Sequence, residues 1–157
     1  MVGYMALDQA EHIPGTFYSP TTLLYGPSGG GKSTYAMQHL RYGDALVDWD
    51  LLYAALSGQP LFTKPDNLFS LVQDTRTFIL NRLCKPHGAP HAYVIQQAPR
   101  QRDRAPYIQA GATPMPFVPT SQECIQRIQH DPRRAHDWER WQPIIKQWFT
   151  RYKGGYG

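Results

Sequence analysis

The sequence predicts an α/β fold in which a small parallel sheet of about four strands is flanked by helices in three layers. Short apolar segments alternate along the chain with longer segments of helical periodicity. This order is typical of parallel strands joined by crossover helices. The chain has 157 residues, 41% hydrophobic and 18% charged, which suits one packed domain over residues 1–157.

The first unit of this fold surrounds a glycine-rich segment. We expect a buried strand from Thr21 to Tyr25 and a helix from Ser33 to Arg41. Between them, Gly26-Pro27-Ser28-Gly29-Gly30-Gly31-Lys32-Ser33 fits the pattern G-x-x-x-x-G-K-[ST] at every fixed position. Glycines let successive N–H groups face one anion, and the helix N-terminus adds a positive dipole end. The fold is therefore predicted to be of P-loop NTPase type.

This loop predicts the cofactors ATP and Mg²⁺. We expect residues 26–34, ending at Thr34, to bind the nucleotide. Lys32 would reach the β- and γ-phosphates, and the Ser33 hydroxyl would ligate Mg²⁺.

The second unit places two carboxylates directly after a strand. Ala45 to Val47 is predicted as this strand, with Asp48 and Asp50 following it and a helix over residues 51–56. Asp50 is expected to accept or orient the proton of an attacking hydroxyl, and Asp48 to hold Mg²⁺. The alternative is that one of the two only caps the helix.

The rest of the chain completes the alternation. We predict a helix from Pro65 or Asp66 to about Leu83, strands over residues 92–95 and 115–118, and helices over 121–130 and 135–152. Thr120 and Glu123 form a capping-box pattern before the helix predicted over residues 121–130. The third strand leads to Gln96 and Gln97 with no acidic residue, which argues against a motor-type ATPase and favours a small kinase.

Residues 97–112 are predicted to be a mobile lid. Arg100, Arg102 and Arg104 lie between two prolines in a segment without apolar periodicity. In a lid they would be catalytic, closing over the transferring phosphoryl group. The alternative is a solvated basic loop. For Arg133 and Arg134, contact with the adenine or phosphates and a helix-end charge cluster remain equal alternatives.

Charge is distributed unevenly. Residues 1–99 carry six Lys and Arg against seven Asp and Glu, whereas residues 100–157 carry ten against five. The basic part indicates either a nucleic-acid partner or an ordinary solvated surface. Tryptophans crowd the C-terminal helix and tail, residues 135–157, where packing is favoured over base stacking.

Residues 1–20 are predicted to be a leader with an edge segment around Phe17 and Tyr18. This leader lacks the pattern of a secretory signal, and no apolar run of membrane-spanning length occurs. Cys84 and Cys124 show no CxxC spacing, so two reduced thiols are expected. These features predict a cytoplasmic protein without a membrane partner, in the host cytoplasm if a phage encodes it.

The loop, the turn at residues 47–50 and the segment from Pro119 to Arg127 together resemble the polynucleotide-kinase-like branch of P-loop kinases. The chain is similar in size and in its tryptophan-rich tail to the phage 5-hydroxymethyluridine DNA kinases. The resemblance implies that Asp50 activates the acceptor hydroxyl and that the acceptor is 5-hydroxymethyluracil in phage DNA. A polynucleotide 5′-hydroxyl kinase, a small-nucleotide kinase and an ATP-binding module acting through a partner are the alternatives.

Overall fold

The computed structural model describes residues 11–152. Its strands are β1 Thr21–Tyr25, β2 Ala45–Asp48, β3 Ala92–Gln96 and β4 Thr113–Pro116. Its helices are α1 Lys32–His39, α2 Trp49–Ser57, α3 Phe69–Arg82, α4 Gln101–Gln109, α5 Ser121–His130 and α6 Trp138–Arg151. Short 3₁₀ helices, Asp66–Leu68 and Ala135–Asp137, lead into α3 and α6.

The four strands form one parallel sheet in the order β2-β3-β1-β4. From β1 the chain passes β3 to reach β2 at one edge of the sheet, and from β3 it passes β1 to reach β4 at the opposite edge. The loops after β1 and β3 therefore diverge at the carboxyl edge of the sheet, which opens a crevice there. The predicted fold class is confirmed.

Helices cover both faces of the sheet. Successive strand residues point to opposite faces. Leu23 of β1 packs in a buried cluster with Leu80 of α3. Leu24 and Ile95 pack on the other face with Ala36 of α1. These two clusters separate three layers of secondary structure.

β4 lies two residues earlier than predicted. The predicted bounds of residues 115–118 are wrong, because the strand spans Thr113–Pro116 and contains two prolines, Pro114 and Pro116. Proline lacks an N–H to donate to a neighbouring strand, so it is tolerated at an edge. β4 is an edge strand that pairs only with β1 among the described residues.

The segment predicted as a mobile lid contains the packed helix α4. Arg104 has no exposed surface, and its guanidinium donates hydrogen bonds to Ala98 O at 2.9 Å and Pro99 O at 3.0 Å. It also lies 4.7 Å from the centre of the Tyr25 ring. At the start of the helix, the Asp103 carboxylate accepts hydrogen bonds from the Arg100 backbone N–H and from its guanidinium, each at 2.9 Å. The prediction of a loop without regular structure is wrong here, and the helical pattern was missed because the polar residue Arg104 occupies a buried position.

Both ends of the described chain pack against this core. Phe17 is buried, and its N–H donates to Ala110 O at 2.8 Å. Trp148 of α6 has no exposed surface, and its indole N–H donates to Gln97 O at 2.8 Å. The packing interpretation is thus confirmed for this tryptophan. Residues 1–10 of the predicted leader and 153–157 of the predicted tail lie outside the described residues.

Two further expectations concern cysteines and membranes. Cys84 and Cys124 are both free thiols, as predicted. Between residues 11 and 152, no helix combines the length and apolar character needed to cross a bilayer.

The burial of Arg104 predicts a structural rather than catalytic phenotype. Arg104→Ala should lower the free energy of unfolding by about 3 kcal/mol, because it leaves two carbonyls unsatisfied and a void in the core. Arg102→Ala, at an exposed position of the same helix, should change it by less than about 0.5 kcal/mol. Urea denaturation followed by tryptophan fluorescence measures both, and equal losses would contradict the assignment.

Candidate functional site

The loop over residues 26–33, predicted to bind phosphates, is shaped by its close approach to the backbone of other segments. A Cβ on Gly29, which has φ +77°, would lie 2.7 Å from Cys124 O. A Cβ on Gly30 would lie 2.8 Å from Phe117 O. The N–H of Gly26 donates to Gln96 O at 3.3 Å, which ties the start of the loop to the end of β3. Only glycine permits this curl against neighbouring backbone.

Lys32, the first residue of α1, is buried under this loop. Its ammonium donates to Gly26 O at 2.6 Å and to Pro27 O at 2.7 Å. Burial lowers the pKa of Lys32 to about 8, although the charges of Asp50 and Asp48 oppose the shift. The loop therefore holds a poorly solvated cation where the motif predicts phosphates.

Asp48 and Asp50 lie beside this cation. Asp48 ends β2, is buried, and accepts a hydrogen bond from the Asp50 N–H at 3.1 Å. It is therefore the N-cap of α2, so the capping alternative applies to Asp48. Burial, and then the charge of Asp50, raise the pKa of Asp48 to about 6. The site thus holds two close carboxylates, one of them desolvated.

Asp50 forms an ion pair that sequence analysis missed. The Lys64 ammonium lies 2.6 Å from its Oδ1. Lys64 belongs to the segment between α2 and α3, which matches no motif, so no sequence signal pointed to it. The carboxylate predicted to act on a hydroxyl is therefore held by a lysine in this structure.

Two arginines after α5 face the same site. Asp131 fixes them, with Arg133 Nε at 3.0 Å from Oδ1 and Arg134 Nε at 2.9 Å from Oδ2. Burial would raise the pKa of Asp131, but hydrogen bonds from both arginines outweigh it and lower this pKa to about 2. The Arg134 guanidinium also lies 4.3 Å from the Phe62 ring and 5.3 Å from the Trp141 ring. Arg134 is therefore rigidly placed.

These groups line one cavity of about 340 Å³. Residues 28–34 of the loop form one wall with Asp48, Asp50, Arg133 and Arg134. Five aromatic side chains, here called the aromatic wall, also line the cavity: Trp49, Tyr53, Phe62, Phe69 and Trp141. Two pairs of these rings are in contact, Trp49 with Phe69 at 5.4 Å and Phe62 with Trp141 at 5.5 Å between centroids. The cavity therefore joins a phosphate-binding loop to a surface suited to a planar group.

The arginine prediction needs a correction. None of Arg100, Arg102 and Arg104 is among the described residues that line the cavity. Arg133 and Arg134 line it and form the helix-end charge cluster with Asp131, and their contact with the adenine or phosphates stays a prediction. A third arginine, Arg127 of α5, donates to Gly29 O at 3.1 Å and braces the loop.

The residues present fit a Mg²⁺ ion bound together with a nucleotide. Among the residues described, no group of three or more His, Cys, Asp or Glu could hold a metal by itself. Mg²⁺ commonly takes one or two protein oxygens and completes its shell with phosphates and water. Ser33 and the desolvated Asp48 both line the cavity and supply such oxygens.

Comparisons with known proteins give no family assignment. No protein-family model and no curated protein sequence matches the chain. Among solved structures, the crystal structure of TT1252 from Thermus thermophilus is similar at a TM-score of 0.44 and 17% identity. The match covers 87% of this chain and 90% of that one.

The raised pKa of Asp48 predicts a stability cost in the absence of metal. Its carboxyl titrates near 3.8 when unfolded and near 6 when folded, so ionisation destabilises the fold as pH rises between these values. At about pH 8 in chelator, Asp48→Asn should stabilise the protein by at most about 3 kcal/mol. Asparagine keeps the helix cap.

Below about pH 4 this gain should vanish, because Asp48 is then protonated in both states. Asp74→Asn, at an exposed position of α3, is the matched control. Chemical denaturation at both pH values measures the difference. A gain of equal size at both would contradict the assigned cause.

Proposed function

We propose that the protein is an ATP- and Mg²⁺-dependent kinase that phosphorylates a hydroxyl group. One observation carries the proposal. A single cavity brings the phosphate-binding loop with Lys32 together with the Asp48–Asp50 pair and with Arg134. Phosphoryl transfer needs positioning and charge stabilisation around the γ-phosphate, and these residue types supply both.

The loop and Lys32 bind the nucleotide. Backbone N–H groups of residues 28–33 would surround the phosphates, and the Lys32 ammonium would exchange its loop carbonyls for β- and γ-phosphate oxygens. Ser33 and Asp48 would hold Mg²⁺, which neutralises charge on the phosphates when bound. The buried position of Lys32 strengthens its attraction to an anion.

Asp50 is assigned to the acceptor hydroxyl. Its carboxylate takes the hydroxyl proton while the hydroxyl oxygen bonds to the γ-phosphorus and the bridging oxygen leaves on ADP. The carboxylate must first separate from Lys64 to accept that proton. Asp48 is less suited to this role because it already caps α2.

Arg133 and Arg134 are assigned to the transferred phosphoryl group. Asp131, Phe62 and Trp141 hold the Arg134 guanidinium at the cavity wall. A guanidinium placed in advance stabilises developing negative charge with little reorganisation. These two residues take the role that sequence analysis gave to the arginines of residues 97–112.

The preferred acceptor is the hydroxymethyl group of 5-hydroxymethyluracil in DNA. The aromatic wall beside Asp50 supports a planar base as the group that carries the hydroxyl. A base within a duplex must leave the stack to enter such a cavity, and stacking on aromatic rings offsets part of that cost. DNA containing the modified base is thus the proposed partner.

Transfer of labelled phosphate from [γ-³²P]ATP tests the kinase assignment. Lys32→Ala should abolish transfer, whereas Lys85→Ala, an exposed lysine after α3, should not. Asp50→Asn should lower turnover by about 10²–10⁴-fold with little change in ATP affinity. A severe Asp48→Asn phenotype beside a mild Asp50→Asn phenotype would reverse the two roles. Undiminished transfer by folded Lys32→Ala protein would contradict the proposal.

Mass spectrometry of digested DNA tests the acceptor. The assay compares DNA containing 5-hydroxymethyluracil, ordinary DNA with 5′-hydroxyl ends, and free nucleosides and nucleotides. Phosphate is expected on 5-hydroxymethyluridine at internal positions and not on thymidine. Label confined to 5′ termini would identify a polynucleotide kinase, and label confined to small molecules would remove DNA as the acceptor. ATP hydrolysis without any transfer would favour a nucleotide-binding module.

A further inference from the structure

A second cavity of about 320 Å³ adjoins the first. It lies along the segment 61–65 between α2 and α3, and the start of α6 closes its other side. Phe62, Lys64, Arg133 and Arg140 line both cavities. A ligand that fills the first cavity can therefore extend into the second without leaving the protein surface.

The lining of the second cavity is more cationic than anionic. It contains Lys64, Arg133 and Arg140 with one carboxylate, that of Asp137, whereas the ion-pair partners of Lys64 and Arg133 lie outside the lining. Asp137 is 3.8 Å from the nearest nitrogen of Arg140, a loose contact. The side chains of Arg133 and Arg140 are 55% and 45% exposed. Such a surface favours an anion that approaches from solvent.

Lys64 connects this charged surface to the proposed reaction. It lines both cavities, and its ammonium contacts Asp50 Oδ1 at 2.6 Å. An anion in the second cavity would compete with Asp50 for the same ammonium. Movement of Lys64 toward that anion would leave the Asp50 carboxylate free to accept a proton.

We propose that the second cavity binds a phosphodiester of a single-stranded polynucleotide acceptor. This inference rests on the proposed kinase function. The acceptor base lies against the aromatic wall, and a neighbouring backbone phosphate binds Lys64 and Arg140. The Lys64 ammonium leaves the Asp50 carboxylate and pairs with that phosphate. Asp50, the proposed general base, therefore becomes available only when a strand is bound.

The geometry favours a strand over a free nucleoside or inorganic phosphate. The two cavities are of similar volume, and they share lining residues. A planar base fits the aromatic wall of one, and an anion fits the cationic lining of the other. A polynucleotide presents both groups at once, with its chain leaving through the exposed side of the second cavity.

Binding without ATP tests the subsite independently of catalysis. Fluorescence anisotropy measures the dissociation constant of labelled tetrathymidylate across a salt series, with thymidine and inorganic phosphate as competitors. Lys64→Gln and Arg140→Gln should each weaken strand binding about ten-fold and reduce the salt slope by about one. Lys85→Gln removes a charge of the same kind outside both cavities and should change neither. Unchanged ADP affinity shows that each variant is folded.

A steady-state experiment tests the Lys64 exchange. The kcat/KM for a hydroxymethyluracil oligonucleotide, divided by that for the free nucleoside, should fall about ten-fold in Lys64→Gln. Arg140→Lys, which keeps the charge, should restore most of the strand affinity that Arg140→Gln loses.

The outcomes separate the subsite from the kinase function. Strand affinity that is unaffected by both glutamine variants overturns the subsite, even if the protein is a kinase. Competition by inorganic phosphate as strong as that of the strand also overturns it, because the site would then hold free phosphate. An unchanged kcat/KM ratio overturns the Lys64 exchange. Variant-sensitive strand binding without transfer to any acceptor keeps the subsite and overturns the proposed function.

Discussion

Burial of the Lys32 ammonium is the constraint on which the rest of the site depends. A cation removed from water needs oxygen atoms nearby, and the curled glycine loop supplies two carbonyls at 2.6 and 2.7 Å. The sheet order brings the end of β2 to the same edge, so Asp48 and Asp50 add negative charge. The loop conformation, the strand order and the two carboxylates at the end of β2 therefore all serve to compensate the buried charge of Lys32. A phosphate is an anion that suits such an arrangement.

Ion pairs connect the charged side chains around Lys32. Asp50 is paired with Lys64, and Asp131 holds both Arg133 and Arg134. This arrangement keeps the cations in place without an anionic ligand, but Asp48 remains desolvated beside a like charge. In the proposed function, the same arrangement would attract phosphate and a divalent ion, which would offset this local cost. Sites of this kind are where perturbed pKa values concentrate.

The sequence was sufficient where local chemistry decides the structure. β1 has the predicted bounds, and Thr120 and Glu123 form the predicted capping box, with hydrogen bonds of 3.1 and 2.9 Å. It was insufficient where polar side chains are buried. Arg104 occupies a core position of α4, so the apolar periodicity that predicts helices is absent there. Lys64 was missed for a related reason, since its ion pair with Asp50 depends on tertiary folding of a segment without a motif.

The same burial changes how the net charge of the C-terminal part is to be interpreted. The excess of Lys and Arg after residue 99 suggested a basic surface, but Arg104 is buried against carbonyls and rings, and Arg100 is neutralised by Asp103. Part of the excess therefore stabilises the fold and does not reach a partner. The argument for a polyanionic acceptor rests instead on the position of Arg133, Arg140 and Lys64, which line the second cavity although Asp131 pairs with Arg133 and Asp50 pairs with Lys64. Position at the cavity, and not the charge sum, is the physical basis for the proposed recognition of nucleic acid.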